Sequence, residues 1–86
     1  MKRTLNVHSD TDHGWLEVAQ GDLDTLGIAE QISAYSCQDG DKVYLEEDCD
    51  KHLFLKAAAA AGWSIETVDC YTQGYCFVRN LPSYQP

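Results

Sequence analysis

The sequence predicts an α+β domain: one antiparallel sheet of about six short strands, in the order β-β-α-β-β-α-β-β, with two helices on one face. Three observations carry this. Short runs of alternating apolar and polar residues recur along the chain, the pattern of half-buried strands. Two segments break that alternation with helix signals, around Asp22–Leu26 and Lys51–Ala61. Asp39-Gly40 lies between two alternating runs, a strong hairpin signal because both residues tolerate positive φ. Sheets interleaved with helices in this way bury one sheet face beneath the helices.

The elements follow in order. Thr4–His8 alternates and suits a strand, and Trp15–Val18 is rich in aromatic and β-branched residues and suits a second. The polar run Ser9–Gly14 between them reads as a turn. Asp22 is placed to cap a short helix through its side-chain oxygen, and Gly27 suits the left-handed stop. Ile32–Cys37 and Lys42–Leu45 form the arms of the Asp-Gly hairpin. Asp50 begins the clearest helix, Lys51–Ala61, in which Leu53, Phe54, Ala57, Ala58, Ala60 and Ala61 give a broad apolar face. Five consecutive alanines favour helix strongly, and Gly62 suits its end. Trp63–Val68 and Tyr75–Arg79 read as the last two strands, with Gly74 in the turn between them. Leu81–Pro86 is an extended tail of a single domain, 1–86. Trp15, Tyr35, Tyr44, Phe54, Trp63 and Phe77 are expected to face inward. Tyr71, Tyr75 and Tyr84 flank turns or the tail, where tyrosines are often exposed.

Composition narrows the function. The 86 residues carry a net charge of -8, from 14 acidic and 6 basic side chains, and 44% are apolar. Such a chain repels phosphate, which argues against direct nucleic-acid binding. It offers 8 net charges where a duplex of the domain's width, about 30 Å, carries roughly 18. A local plug for a basic groove fits that charge better than mimicry of a long duplex. No segment approaches the roughly 20 apolar residues of a membrane span. The basic start Met1–Asn6 is followed by no apolar run, so no secretion signal is expected. Cys37, Cys49, Cys70 and Cys76 are therefore read as reduced thiols in a cytoplasmic protein.

Catalytic and metal chemistry are weakly signalled. Asp10-Thr11-Asp12-His13-Gly14 begins like a calcium loop, but Gly21 stands where the bidentate Glu is required. No Cys-x-x-Cys knuckle is present, and Cys49 and His52 alone do not make a zinc set. Cys49 sits near a helix N-terminus, yet the surrounding carboxylates oppose a reactive thiolate. No metal, cofactor or enzymatic activity is expected.

Charge distribution points to a surface. Thr4 to Asp41 contains no Lys or Arg but holds eight carboxylates: Asp10, Asp12, Glu17, Asp22, Asp24, Glu30, Asp39 and Asp41. Glu46-Glu47-Asp48-Cys49-Asp50 follows. These acids keep a small protein soluble, and they also suit a basic partner. The expected partner-binding set is Asp39, Asp41, Tyr44, Glu46, Glu47, Asp48 and Asp50, with Tyr35 the alternative aromatic, directed at a basic surface on another protein.

Four segments add a resemblance: His13-Gly14-Trp15-Leu16-Glu17-Val18, Leu26-Gly27-Ile28-Ala29, Val43-Tyr44-Leu45-Glu46-Glu47-Asp48-Cys49-Asp50, and Leu81-Pro82-Ser83-Tyr84. Together they resemble a small uncharacterised domain family of bacterial plasmids, phages and other mobile elements. Cys37 departs from that pattern, in which an aromatic residue is commoner. The family brings no activity, so no site residue is carried over. Its context implies an inhibitor of a host nucleic-acid-binding defence complex, of the anti-CRISPR type, acting in the bacterial cytoplasm. The alternative is a structural or regulatory interaction domain that dimerises through an exposed sheet edge or joins a complex through its apolar surface.

Overall fold

The computed structural model describes Met1–Pro86 and is α+β, with a five-stranded sheet and two α-helices. Its elements are β1 (Lys2–Ser9), β2 (Gly14–Ala19), α1 (Gln20–Leu26), β3 (Cys37–Asp39), β4 (Lys42–Glu46), α2 (Asp50–Ala60) and β5 (Ser64–Tyr71). Short 3-10 turns occupy Ala29–Gln31 and Phe77–Asn80. The strand order is β3-β4-β2-β1-β5. No helix is long and apolar enough to cross a membrane.

The sheet is mixed rather than wholly antiparallel, because β1 and β5 pair in parallel. Chain direction explains this. β4 runs parallel to β1, since each is antiparallel to β2. α2 then returns the chain across the sheet, so β5 enters at the Lys2 end and runs the same way as β1.

Side-chain alternation divides the core into two layers. Leu16 and Val18 of β2, with Val43 and Leu45 of β4, face the helices. They pack with Leu23 of α1, Phe54 and Ala58 of α2, Ile28, Ile32 and Tyr84. The opposite face carries Trp15 and Tyr44, covered by Cys76, Val78 and Leu81 of the C-terminal segment. Both helices therefore lie on one face, and the C-terminal segment covers part of the other.

Several expectations are corrected. The segment expected as a sixth strand, Tyr75–Arg79, is a 3-10 turn with Val78 buried. Asp10 holds it: its carboxylate accepts the Cys76 N–H at 3.1 Å and the Arg79 Nε at 2.5 Å. The strand expected over Ile32–Cys37 contracts to Cys37–Asp39, because Ser33 and Ser36 are drawn into a turn by Asp50. The hairpin is present, but its two-residue loop is Gly40-Asp41, since Asp39 pairs with Lys42. Only Gly40 takes positive φ, 61°, the arrangement of a type II′ turn. α1 starts three residues early, with Ala19 as its N-cap, and Asp22 caps nothing. Its carboxylate instead receives Arg3 Nε at 2.9 Å and Arg3 Nη2 at 3.2 Å. Gly27 at φ 71° ends α1 as expected. Tyr35 and Phe77 are 75% and 48% exposed rather than core, while Tyr84 is buried.

Candidate functional site

A cleft of about 460 Å³ opens at the end of the sheet where β2 begins and β4 ends. It is lined by His13, Trp15, Tyr35, Cys37, Glu46, Asp48, Cys49 and Arg79. Local backbone geometry builds its acidic side. Glu46 pairs with Trp15, and the next residue extends the ladder, with the Glu47 N–H donating to the Gly14 carbonyl. Glu47 also approaches so closely that a Cβ on Gly14 would lie 2.6 Å from its Oε2. The chain then turns: Asp48 N–H donates to Glu46 Oε2 at 3.0 Å, and Cys49 N–H to the Glu46 carbonyl at 3.4 Å. Cys49 becomes the N-cap residue of α2. The turn leaves Asp48 exposed and Glu46 and Glu47 half-buried.

The opposite wall is aromatic and its cation is already committed. The Arg79 guanidinium donates to both oxygens of Asp10. It also lies over the rings of Trp15 and Tyr75, at 5.6 and 5.2 Å from their centroids. This contact with Arg79, then backbone N–H groups of Cys76, Asp12 and His13, holds the Asp10 carboxyl well below the usual carboxylate range against the opposing effect of desolvation. The Arg79 pKa is raised in turn, chiefly by its bond to Asp10. Arg3 is taken up by Asp22 in the same way, and Lys2 by Glu66 at 3.5 Å. Asp12, Glu46, Glu47 and Asp48 have no cationic partner within 4 Å.

The thiols of the cleft are held protonated. Local desolvation, then the hydrogen bond to Glu46 and the charges of Glu46, Asp50 and Asp48, push Cys49 up from the ordinary thiol value. Burial pushes Cys37 up as well. Nucleophilic thiol chemistry requires the opposite shift. His13, Cys37, Glu46, Asp48 and Cys49 share the cleft without three of them converging as metal ligands.

The expected partner-binding residues divide three ways. Glu46 and Asp48 line the cleft, and Glu47 lies beside it against Gly14. Asp39 and Asp41 are exposed at the hairpin, but at the other end of β4, some five residues or roughly 17 Å away. Tyr44 and Asp50 are 3% and 4% exposed. Tyr44 packs edge-on against His8 and Phe77, and its phenol is pushed up mainly by burial. Asp50 Oδ2 accepts Ser33 N–H at 3.0 Å, Ser33 Oγ at 2.7 Å and Ser36 Oγ at 2.5 Å. Neither side chain presents a contact surface. Tyr35, the alternative to Tyr44 among the expected acids, does line the cleft, whereas the sequence reading did not place Trp15 there. Trp15 comes from the strand beside Gly14, and only the pairing of β2 with β4 brings it to Glu46. Comparison with protein-family models, with curated proteins and with solved structures returned no match.

Proposed function

We propose that the protein is a non-enzymatic acidic binding protein of the bacterial cytoplasm. Its acidic end occupies a basic groove on a nucleic-acid-binding complex, as an inhibitor of a host defence complex of the anti-CRISPR type would. One observation carries this reading: Glu46, Glu47 and Asp48 stand at one end of the sheet with no cationic partner within 4 Å. Arg3 is paired with Asp22, and Arg79, although it lines the cleft, is already paired with Asp10. The adjoining exposed rings of Tyr35 and Tyr75 suit the lysines and arginines of such a groove through cation–π contact. Exposed and half-buried carboxylates beside these rings supply steering, and the rings supply specificity.

The test compares three proteins as bait in bacterial lysate: the parent, Glu46→Lys/Glu47→Lys/Asp48→Lys, and Asp39→Lys/Asp41→Lys. The parent is expected to retain a nucleic-acid-binding complex at low salt, to release it at high salt, and to lose it to competing nucleic acid. The triple variant is expected to lose it while remaining folded, and the hairpin variant to keep it. Full retention by a folded triple variant overturns the assignment.

A further inference from the structure

We propose that β5 is a dimerisation strand, pairing antiparallel with β5 of a second copy about a two-fold axis at Val68. The inference is independent of the acidic end. It begins from the asymmetry between the two edges of the sheet. The β3 edge is closed by the C-terminal tail: Cys37 bridges Ser83, Gln38 N–H donates to the Pro82 carbonyl, and Tyr84 N–H donates to the Ser36 carbonyl. The β5 edge has no cover. Ser64–Tyr71 runs in unbroken register against β1 and contains no Pro, Lys or bulge, devices that protect many edges; its only charges are Glu66 and Asp69.

The hydrogen-bond parity of β5 determines what the edge offers. Ser64 N–H donates to the Met1 carbonyl and Thr72 N–H to the Ser9 carbonyl. The even-numbered residues therefore serve β1, and Ile65, Thr67, Asp69 and Tyr71 direct their N–H and C=O groups outward. An antiparallel partner must pair odd residues with odd residues. Centring on Asp69 places the two Asp69 side chains opposite one another, and centring on Glu66 does the same with the two glutamates. Centring on Thr67 leaves Tyr71 opposite Trp63, outside the strand. Only a centre at Val68 pairs all four outward residues among themselves.

That register is self-complementary in its side chains. Ile65 meets Tyr71 of the second copy, a favourable β-branched–aromatic pair. Thr67 meets Asp69, Glu66 meets Cys70, and Val68 meets Val68. No acid lies directly opposite an acid; the closest like charges, the two Asp69, stand diagonally at roughly 7 Å. Val68, 49% exposed, becomes the central contact, and Tyr71, 62% exposed, the contact at either end. An interface of this type is isologous and closes at two copies. Because each copy carries a charge of -8, added salt should strengthen it.

Light scattering and sedimentation across micromolar to about millimolar concentration are expected to show the mass rising from 9.6 kDa to twice that value, at lower concentration in higher salt. In a Cys49→Ser/Cys70→Ser background, Val68→Cys is expected to form an intermolecular disulfide on mild oxidation. Residues of a non-hydrogen-bonded antiparallel pair have Cα atoms about 4.5 Å apart, within disulfide range. Thr67→Cys, facing Asp69 instead of itself, is expected not to crosslink. Thr67→Pro removes an outward N–H that β1 does not use and is expected to give a folded monomer. A protein that stays at 9.6 kDa, with Val68→Cys crosslinking no better than Thr67→Cys, overturns self-pairing and leaves the edge for a strand of another protein.

Discussion

Replacing Asp50 separates a structural acid from its surface neighbours by a measurable margin. Its Oδ2 alone accepts three donors, Ser33 N–H, Ser33 Oγ–H and Ser36 Oγ–H. Ser36 is fully buried and also receives the Glu46 N–H at 3.0 Å, so the carboxylate anchors a relay from β4 to the start of α2. In Asp50→Ala the buried Ser36 hydroxyl loses its acceptor, costing about 1–3 kcal/mol. The two Ser33 donors are only part-buried and recover water, so each loses about 0.5–1 kcal/mol. The total is about 2–5 kcal/mol, a large share of the stability of a domain this size. At about 4–8 °C per kcal/mol the midpoint falls by at least 8 °C or so. Asp50→Asn keeps an oxygen in place and loses only the charge assistance, about 1 kcal/mol. Asp48→Ala, two residues away and exposed, should stay within about 0.5 kcal/mol of the parent. Urea titration followed by far-UV circular dichroism reads all three. Asp50→Ala unfolding with the same midpoint as Asp48→Ala would refute the bracket and return Asp50 to the surface.

Two further outcomes follow from the C-terminal segment. The Asp10 carboxyl ionises well below its unfolded value, so its contribution is complete above about pH 5 and is lost as pH falls through and below the unfolded value near 4. Asp10→Asn is accordingly expected to lower stability at pH 7 and to flatten the acid limb of the stability profile; an unchanged slope between pH 5 and pH 2 would count against the pair with Arg79. Tyr84 is 3% exposed and its hydroxyl has no partner. Tyr84→Phe removes a buried, unsatisfied group and is expected to leave stability unchanged or raise it by up to about 1 kcal/mol, whereas a clear loss in thermal denaturation would reveal a partner for that hydroxyl.

The parts of the fold legible in the sequence are those with local causes. Alternation located β1, β2 and β4; the alanine run located α2; Gly27, Gly40 and Gly62 marked the reversals. Much of what the sequence hides follows from treating acids as local groups, a turn residue at Asp10, a cap at Asp22 and a surface charge at Asp50; the parallel pairing of β5 has a separate cause in chain direction. Asp10, Asp22 and Asp50 point inward and are buried. Asp50 reaches back to Ser33 and Ser36, and so converts most of an alternating run into a turn. Asp10 reaches forward to Cys76 and Arg79, and so converts the last alternating run into a 3-10 turn. Partners that distant leave no periodicity to read. The same assumption entered the candidate site: Asp50 was grouped with Glu46, Glu47 and Asp48 because they are adjacent in sequence, although their side chains have opposite fates. The hairpin acids were grouped with them too, although the length of β4 holds the two sets apart.

The acidic end and the open edge are set at right angles within one sheet, and this gives their combination a distinctive behaviour. The cleft lies at one end of β4, whereas β5 lies three strand spacings to the side, roughly 14 Å. A two-fold axis at Val68 would therefore leave both clefts open, on opposite ends of the joined sheet and about 34 Å apart across the strands. A dimer could then engage two basic sites, and the second contact would be favoured by effective concentration rather than by any new interaction. Salt acts on the two steps in opposite senses. It weakens the meeting of acids with a basic groove and strengthens the meeting of two acidic copies. Partner affinity measured against ionic strength should thus fall less steeply for the parent than for Thr67→Pro, because only the parent gains bivalence as salt rises. Parallel slopes for the two proteins would show that the strand edge and the acidic end act without each other.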